Sequence, residues 1–90
     1  MLDLQPTAQY KKDRKRAIKR GLPLQELDTV IETLQKEENL HPKYRDHALS
    51  GNYEGFRECH IRPDWLFIYA IKKGNLVLVA SRTGTHSDLY

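Results

Sequence analysis

Ninety residues carrying a net charge of +3 make at most one small domain, with room for a few strands and two helices but no second catalytic lobe. Any active site must then be an open surface groove. The lone Cys59 excludes an internal disulfide and a cysteine-based zinc cluster, and no window approaches the ~18 apolar residues of a membrane span, so a soluble cytoplasmic protein with no membrane partner is expected.

Leu2 to Pro6 alternates apolar and polar side chains and predicts a short strand halted by Pro6. Thr7 is placed to cap a helix in which Tyr10, Arg14, Ala17 and Ile18 share one side and which Gly21 ends. Lys11, Lys12, Arg14, Lys15, Arg16, Lys19 and Arg20 make that helix basic, whereas Glu26, Asp28, Glu32, Glu37 and Glu38 make the next segment acidic. A basic face concentrates polyanions, nucleic acid above all; a solvated face that keeps the protein soluble is the plainer reading. A second helix enters at Pro23, carries the apolar stripe Leu24, Leu27, Val30, Ile31 and Leu34, and ends at Asn39 and Pro42.

From Lys43 onward the pattern is strands and turns. Strands are predicted over residues 53–61, 65–71 and 76–80, with Pro63 between the first two and Lys73-Gly74-Asn75 as a hairpin turn before the last. The order β-α-α-β-β-β gives an α+β fold over residues 1–90, with two N-terminal helices on one face of a small, mostly antiparallel sheet. The last two strands are apolar on both parities. One face of the sheet therefore lacks an obvious cover, and such a patch marks a partner surface.

Polar groups gather around these strands. His47 lies in the loop before the second strand, His60 at its end and Asp64 just past the following turn, while Arg82 and His86 come after the fourth strand. A meander can bring these ends together. An imidazole ordinarily titrates near ~6.5 and can give or take a proton at neutral pH, so imidazoles beside a carboxylate and a guanidinium suit acid-base chemistry on a phosphodiester. RNA transesterification needs a base at the 2′-hydroxyl, an acid at the departing 5′-oxygen and a cation on the phosphate. Arg82 suits the last role through its bidentate fork. A metal-ligand set is the competing reading, but the spacings match no short ligand motif, and no metal or cofactor is expected. His41, beside Pro42, is read as having no role.

The segments His47-Ala48-Leu49-Ser50-Gly51, Tyr53 through Tyr69, and Arg82-Thr83-Gly84-Thr85-His86-Ser87-Asp88-Leu89-Tyr90 resemble the YafQ branch of the RelE/ParE toxin superfamily. The resemblance is specific over residues 43–90; the N-terminal half agrees in element order and basic character. It implies a bacterial type II toxin that cleaves messenger RNA on the 70S ribosome and is silenced by a cognate antitoxin. The branch's catalytic set falls on His47, His60, Asp64 and His86, its supporting arginine on Arg82, and its C-terminal aromatic on Tyr90. That last position is more often phenylalanine; tyrosine can still stack on a base and adds a hydroxyl. We assign His47 as base and His86 as acid, with His60 and Asp64 orienting the reacting groups and Lys11, Lys12, Lys15 and Arg16 meeting the RNA backbone. Gyrase-directed relatives share the fold but lack this histidine set, and RelE itself relies more on lysine, arginine and tyrosine. A non-catalytic topoisomerase inhibitor of the same fold is the alternative, and a plain RNA-binding domain a third.

Overall fold

The computed structural model describes residues 1–90. Strand β1 (Asp3–Pro6) leads into helices α1 (Ala8–Lys19) and α2 (Leu24–Gln35). Strands β2 (His47–Ala48), β3 (Arg57–Arg62), β4 (Trp65–Lys72) and β5 (Val77–Gly84) follow, and a short helix α3 (His86–Leu89) closes the chain. The sheet order is β1-β5-β4-β3-β2, with β1 parallel to β5 and every other pairing antiparallel. This is the α+β fold expected, enlarged by β2 and α3.

Local chemistry explains the helices. The Thr7 hydroxyl accepts the Tyr10 amide at 3.0 Å, satisfying one of the unpaired donors of the first turn of α1. At the other end Gly21 takes a left-handed φ of 75°, and the Leu22 amide reaches back to the Ala17 carbonyl at 3.1 Å. The buried face of α1 is Tyr10, Asp13 and Ala17; Ile18, expected on that face, is 58% exposed, and the Asp13 carboxylate is buried instead. Helix α2 buries Leu27, Val30, Ile31 and Leu34 as its stripe requires, and it ends earlier than Asn39, with Glu37 in the left-handed conformation. These side chains meet Cys59, Ile61, Trp65, Phe67, Tyr69, Leu78 and Ala80 of the sheet in one core.

Three strand expectations are corrected. The second strand begins at Arg57, because Gly51 and Gly55 take positive φ and residues 51–53 form a 3-10 turn. The last begins at Val77, Leu76 being left-handed, and runs on to Gly84. Arg82 thus lies within β5, past an irregularity where Ile68 pairs Arg82 but Tyr69 pairs Ala80, leaving Ser81 as the extra residue. The outer face of the sheet is also not bare. Leu49, Tyr53, Phe56 and Leu89 pack over Leu66 and Ile68, so the connection before β3 and the C-terminal helix supply the cover that two helices could not. No helix is long and apolar enough to cross a membrane.

Candidate active site

Strand parity places the chemistry on the outer face. Cys59 and Ile61 of β3 point into the core, so Glu58 and His60 point the other way, and β2 sets His47 directly opposite Glu58. Gly84 of β5 pairs Leu66, and α3 starts at His86 immediately beyond. The Thr85 hydroxyl accepts the Asp88 amide while the Asp88 carboxylate accepts the Thr85 amide, a capping box that fixes where His86 projects. A Cβ on Gly84 would lie 2.9 Å from the Asp88 carboxylate, so only glycine lets the strand end pass this close to α3.

The result is a row of imidazoles. The His47 and His60 rings are 6.2 Å apart and the His60 and His86 rings 5.9 Å apart, centre to centre. Each ring is fixed through Nδ1. His47 Nδ1 is 2.7 Å from the Arg45 carbonyl, His60 Nδ1 is 3.3 Å from the Pro63 carbonyl, and His86 Nδ1 is 2.6 Å from Asp64 Oδ1. A carbonyl or carboxylate oxygen can only accept, so in each ring Nδ1 carries the proton. The Nε2 of His47 and of His60 lie 3.5 and 3.9 Å from Glu58 Oε1. The His86 amide also donates to Asp64, at 2.9 Å, and this bond, with the one from the ring, holds the Asp64 carboxyl below its ordinary range.

Glu58, which periodicity alone presents as ordinary strand sequence, is the buried carboxylate of the site, 5% exposed. Its signal was its parity: one residue of β3 apart from His60, on the same face. The Tyr90 hydroxyl donates to it, and partial burial together with that bond pushes the phenol above its ordinary value. The ring of Tyr90 is otherwise exposed and meets Tyr53 edge-on at 5.8 Å.

Arg82 is fixed from the opposite side of the molecule. Its Nε and Nη2 donate to Asp13 of α1 at 2.8 and 3.2 Å, and the Thr83 amide, Arg16 and Gln9 also donate to this fully buried carboxylate. Burial alone would raise the Asp13 carboxyl; the bonds from Arg82, Gln9 and Thr83 more than offset it, and the net shift is downward. The Tyr53 hydroxyl also lies beside the Arg82 guanidinium, and no bond joins the guanidinium to an imidazole. Among the other cations, Arg16 is engaged by Asp13 and Asp88, Arg20 by Asp88 and Arg14 by Asp28, whereas Lys11, Lys12 and Lys15 have no acidic partner. His41, assigned no role, caps the 3-10 turn at Pro42–Tyr44 by accepting the Lys43 amide.

His47, Glu58 and His60 also place a donor atom each within 4.8 Å of one another, so two imidazoles and a carboxylate could close on a borderline transition-metal ion.

Fold and site together define a small α+β protein presenting imidazoles and carboxylates, the equipment of proton transfer, on the outer face of its sheet. Its residues 2–90 match the family described as bacterial toxin of type II toxin-antitoxin system, YafQ, and the chain belongs to that family. The mRNA interferase toxin YafQ of Escherichia coli strain K12 is 37% identical over 89 residues, 98% of this chain and 95% of the relative. Among solved structures, a metal-bound toxin from Helicobacter pylori is 42% identical with a TM-score of 0.95 over 100% of both chains. A chain of the E. coli DinJ-YafQ toxin-antitoxin complex is 36% identical with a TM-score of 0.88, over 99% of this chain and 97% of that one.

Proposed function

We propose that this chain is the endoribonuclease toxin of a type II system, cutting messenger RNA on the translating ribosome by transesterification and silenced by a cognate antitoxin. The observation that carries the reading is the unlike anchoring of two imidazoles that face one another across His60. His47 hangs from a neutral carbonyl, which leaves its Nε2 lone pair free to take a proton. His86 is held through Nδ1 by the Asp64 carboxylate, which orients the ring so that its Nε2 is presented to the leaving oxygen.

In this mechanism His47 Nε2 removes the proton of the 2′-hydroxyl, whose oxygen attacks the adjacent phosphorus. The bond to the 5′-oxygen breaks as His86 Nε2–H protonates it, giving a 2′,3′-cyclic phosphate and a free 5′-hydroxyl. Glu58, 3.5 Å from His47 Nε2, stabilises the imidazolium that forms there. The Arg82 guanidinium answers charge on the phosphoryl oxygens, Tyr90 stacks on a base, and Lys11, Lys12 and Lys15 track the ribosomal or messenger backbone. Arg16, already tied to Asp13 and Asp88, contributes chiefly to structure.

The name of the H. pylori relative brings a second reading. His47, Glu58 and His60 are the residues that would hold such an ion here, supplying Lewis-acid polarisation of a bound oxygen. It would engage the same Nε2 lone pair that abstraction needs, so holding a metal and acting as base are alternatives for His47.

The deciding experiment adds purified toxin to programmed ribosomes in EDTA and maps new messenger ends. Ends bearing cyclic phosphate support the metal-free nuclease. Growth arrest and topoisomerase inhibition with no new ends would support the non-catalytic toxin instead.

A further inference from the structure

We infer that the cleft walled by Lys43, Arg45 and Arg62 beside His60 is a phosphate subsite for the RNA nucleotide next to the one being cut. The inference rests on the nuclease reading for its substrate, but what it adds is a binding site outside the imidazole row.

The cleft holds about 320 Å³ and is bounded by the turn before β2, the end of β3 and Glu26 of α2. That volume is at the small end for a ligand site, the size for one nucleotide rather than for folded RNA. Its charge is only partly compensated. Arg62 is neutralised by Glu26, with Nη2 to Oε2 at 2.6 Å and Nε to Oε1 at 3.2 Å. Lys43 and Arg45 pair with no carboxylate; Lys43 Nζ lies over the Tyr44 ring, 5.1 Å from its centre. Two free cations converging on an open polar cleft are the pattern of a groove that follows a nucleic-acid backbone.

Topology opens the same place. Strand β2 pairs only with Arg57 and Glu58, so from Cys59 to Arg62 this edge of the sheet has no strand partner, and the turn at Pro42–Tyr44 lies against it beside the cleft. An added protein strand would bury Lys43 and Arg45, which disfavours that occupant; a phosphodiester would neutralise them. The cleft is also joined to the chemistry. His60 forms part of its wall, and Pro63, whose carbonyl holds the His60 ring, forms another part. Arg45, left-handed at φ 50° and ψ 41°, gives its carbonyl to His47 and its side chain to the cleft. An RNA strand that leaves the imidazole row past His60 enters this basic cleft.

The test compares wild type with the Lys43→Gln, Arg45→Asn double variant; asparagine tolerates the left-handed backbone, so the carbonyl to His47 is kept. A fluorescein-labelled single-stranded 2′-O-methyl hexaribonucleotide, which has no 2′-hydroxyl to attack with, is titrated by anisotropy across a salt series. Each lost phosphate contact should lower the log-log salt slope by about 0.7 and weaken binding several-fold, and KM for ribosome-bound messenger should rise. Lys73→Gln, the same charge loss outside the cleft, should leave binding as it was. An unchanged slope and dissociation constant in the double variant would overturn the subsite, as would a loss of antitoxin affinity in place of RNA affinity. If wild type binds the hexamer through these residues yet leaves ribosome-bound messenger uncut, the nuclease reading fails and the cleft stands as an RNA-binding site; if it cuts that messenger with KM unmoved in the variant, the reverse holds.

Discussion

Replacing Asp13 should cost more stability than any other single polar substitution in this chain, and the reason is countable. Its carboxylate has no exposed surface and accepts from Arg82, Arg16, Gln9 and the Thr83 amide. Asp13→Ala leaves a buried amide and a largely buried guanidinium without a partner, and breaking such a pair costs about 3–5 kcal/mol. Arg82 and Arg16 keep 21% and 36% of their side-chain surface in water, so both recover some hydration, and about 2–4 kcal/mol is the expected loss. A domain of this size holds roughly 5–15 kcal/mol in all, so with an m-value near ~1.5 kcal/mol/M the urea midpoint should fall by about 1.3–2.7 M. Asp13→Asn, which keeps the volume and one acceptor, should lose less. The pH dependence follows from the downward shift of the Asp13 carboxyl. Its folded pKa lies below the unfolded value of about 4, so its contribution is complete above pH ~4 and fades as pH falls through the folded value. Urea unfolding of both proteins at pH 7 and across the range below pH 4 is the assay. A midpoint within ~0.3 M of wild type at pH 7, or a difference that persists undiminished in acid, would refute the reasoning.

Substituting His86 with alanine should lower cleavage by about 10²- to 10⁴-fold while leaving the unfolding curve nearly unchanged, because its side chain is 55% exposed; full activity in the single-turnover assay would remove it from the mechanism. Cleavage should persist in EDTA and pass through a maximum near neutral pH, as expected of two imidazoles used in opposite protonation states; loss on chelation with recovery on added zinc or copper would favour the metal reading. Neutralising Lys11, Lys12 and Lys15 should flatten the salt dependence of ribosome binding and leave turnover of the saturated complex alone, whereas adding Arg16→Gln should also lower thermal stability through Asp13 and Asp88. Gly84→Ala should destabilise the chain and detach α3, read as lost hydrogen-exchange protection at residues 86–90, since its Cβ would overlap Asp88.

What was legible in the sequence is what local periodicity encodes. The stripe of α2, the Thr7 cap and the Gly21 stop are written within a few residues of where they act, and the structure has each of them. What was missed depends on residues far apart. A four-residue helix has no stability of its own, and α3 exists because Asp88 caps it and pairs with Arg20 at 2.6 Å. Asp13 reads as a polar spacer in a basic helix until its partner Arg82 is brought beside it. The apolar parity of β4 read as an uncovered face because Leu49, Tyr53, Phe56 and Leu89 sit in segments with no periodic pattern to announce a lid. The partner surface argued from that bareness loses its basis.

The histidine set shows the same limit at finer grain. That His47, His60 and His86 meet was a reasonable expectation from a meander, but residue type cannot say which is base and which is acid, because that depends on what the other ring nitrogen touches. Here the difference is a backbone oxygen against a side-chain carboxylate. The backbone oxygen belongs to Arg45, a non-glycine residue in the left-handed region, a conformation that costs of order 1 kcal/mol and that the surrounding turn must impose. The carboxylate belongs to Asp64, held by two donors from the first residue of α3. In the mechanism we propose, the polarity of the site is therefore set by a strained turn at one end and a capped helical turn at the other. Both depend on tertiary contacts, and neither can be exchanged for its counterpart by altering the imidazoles alone.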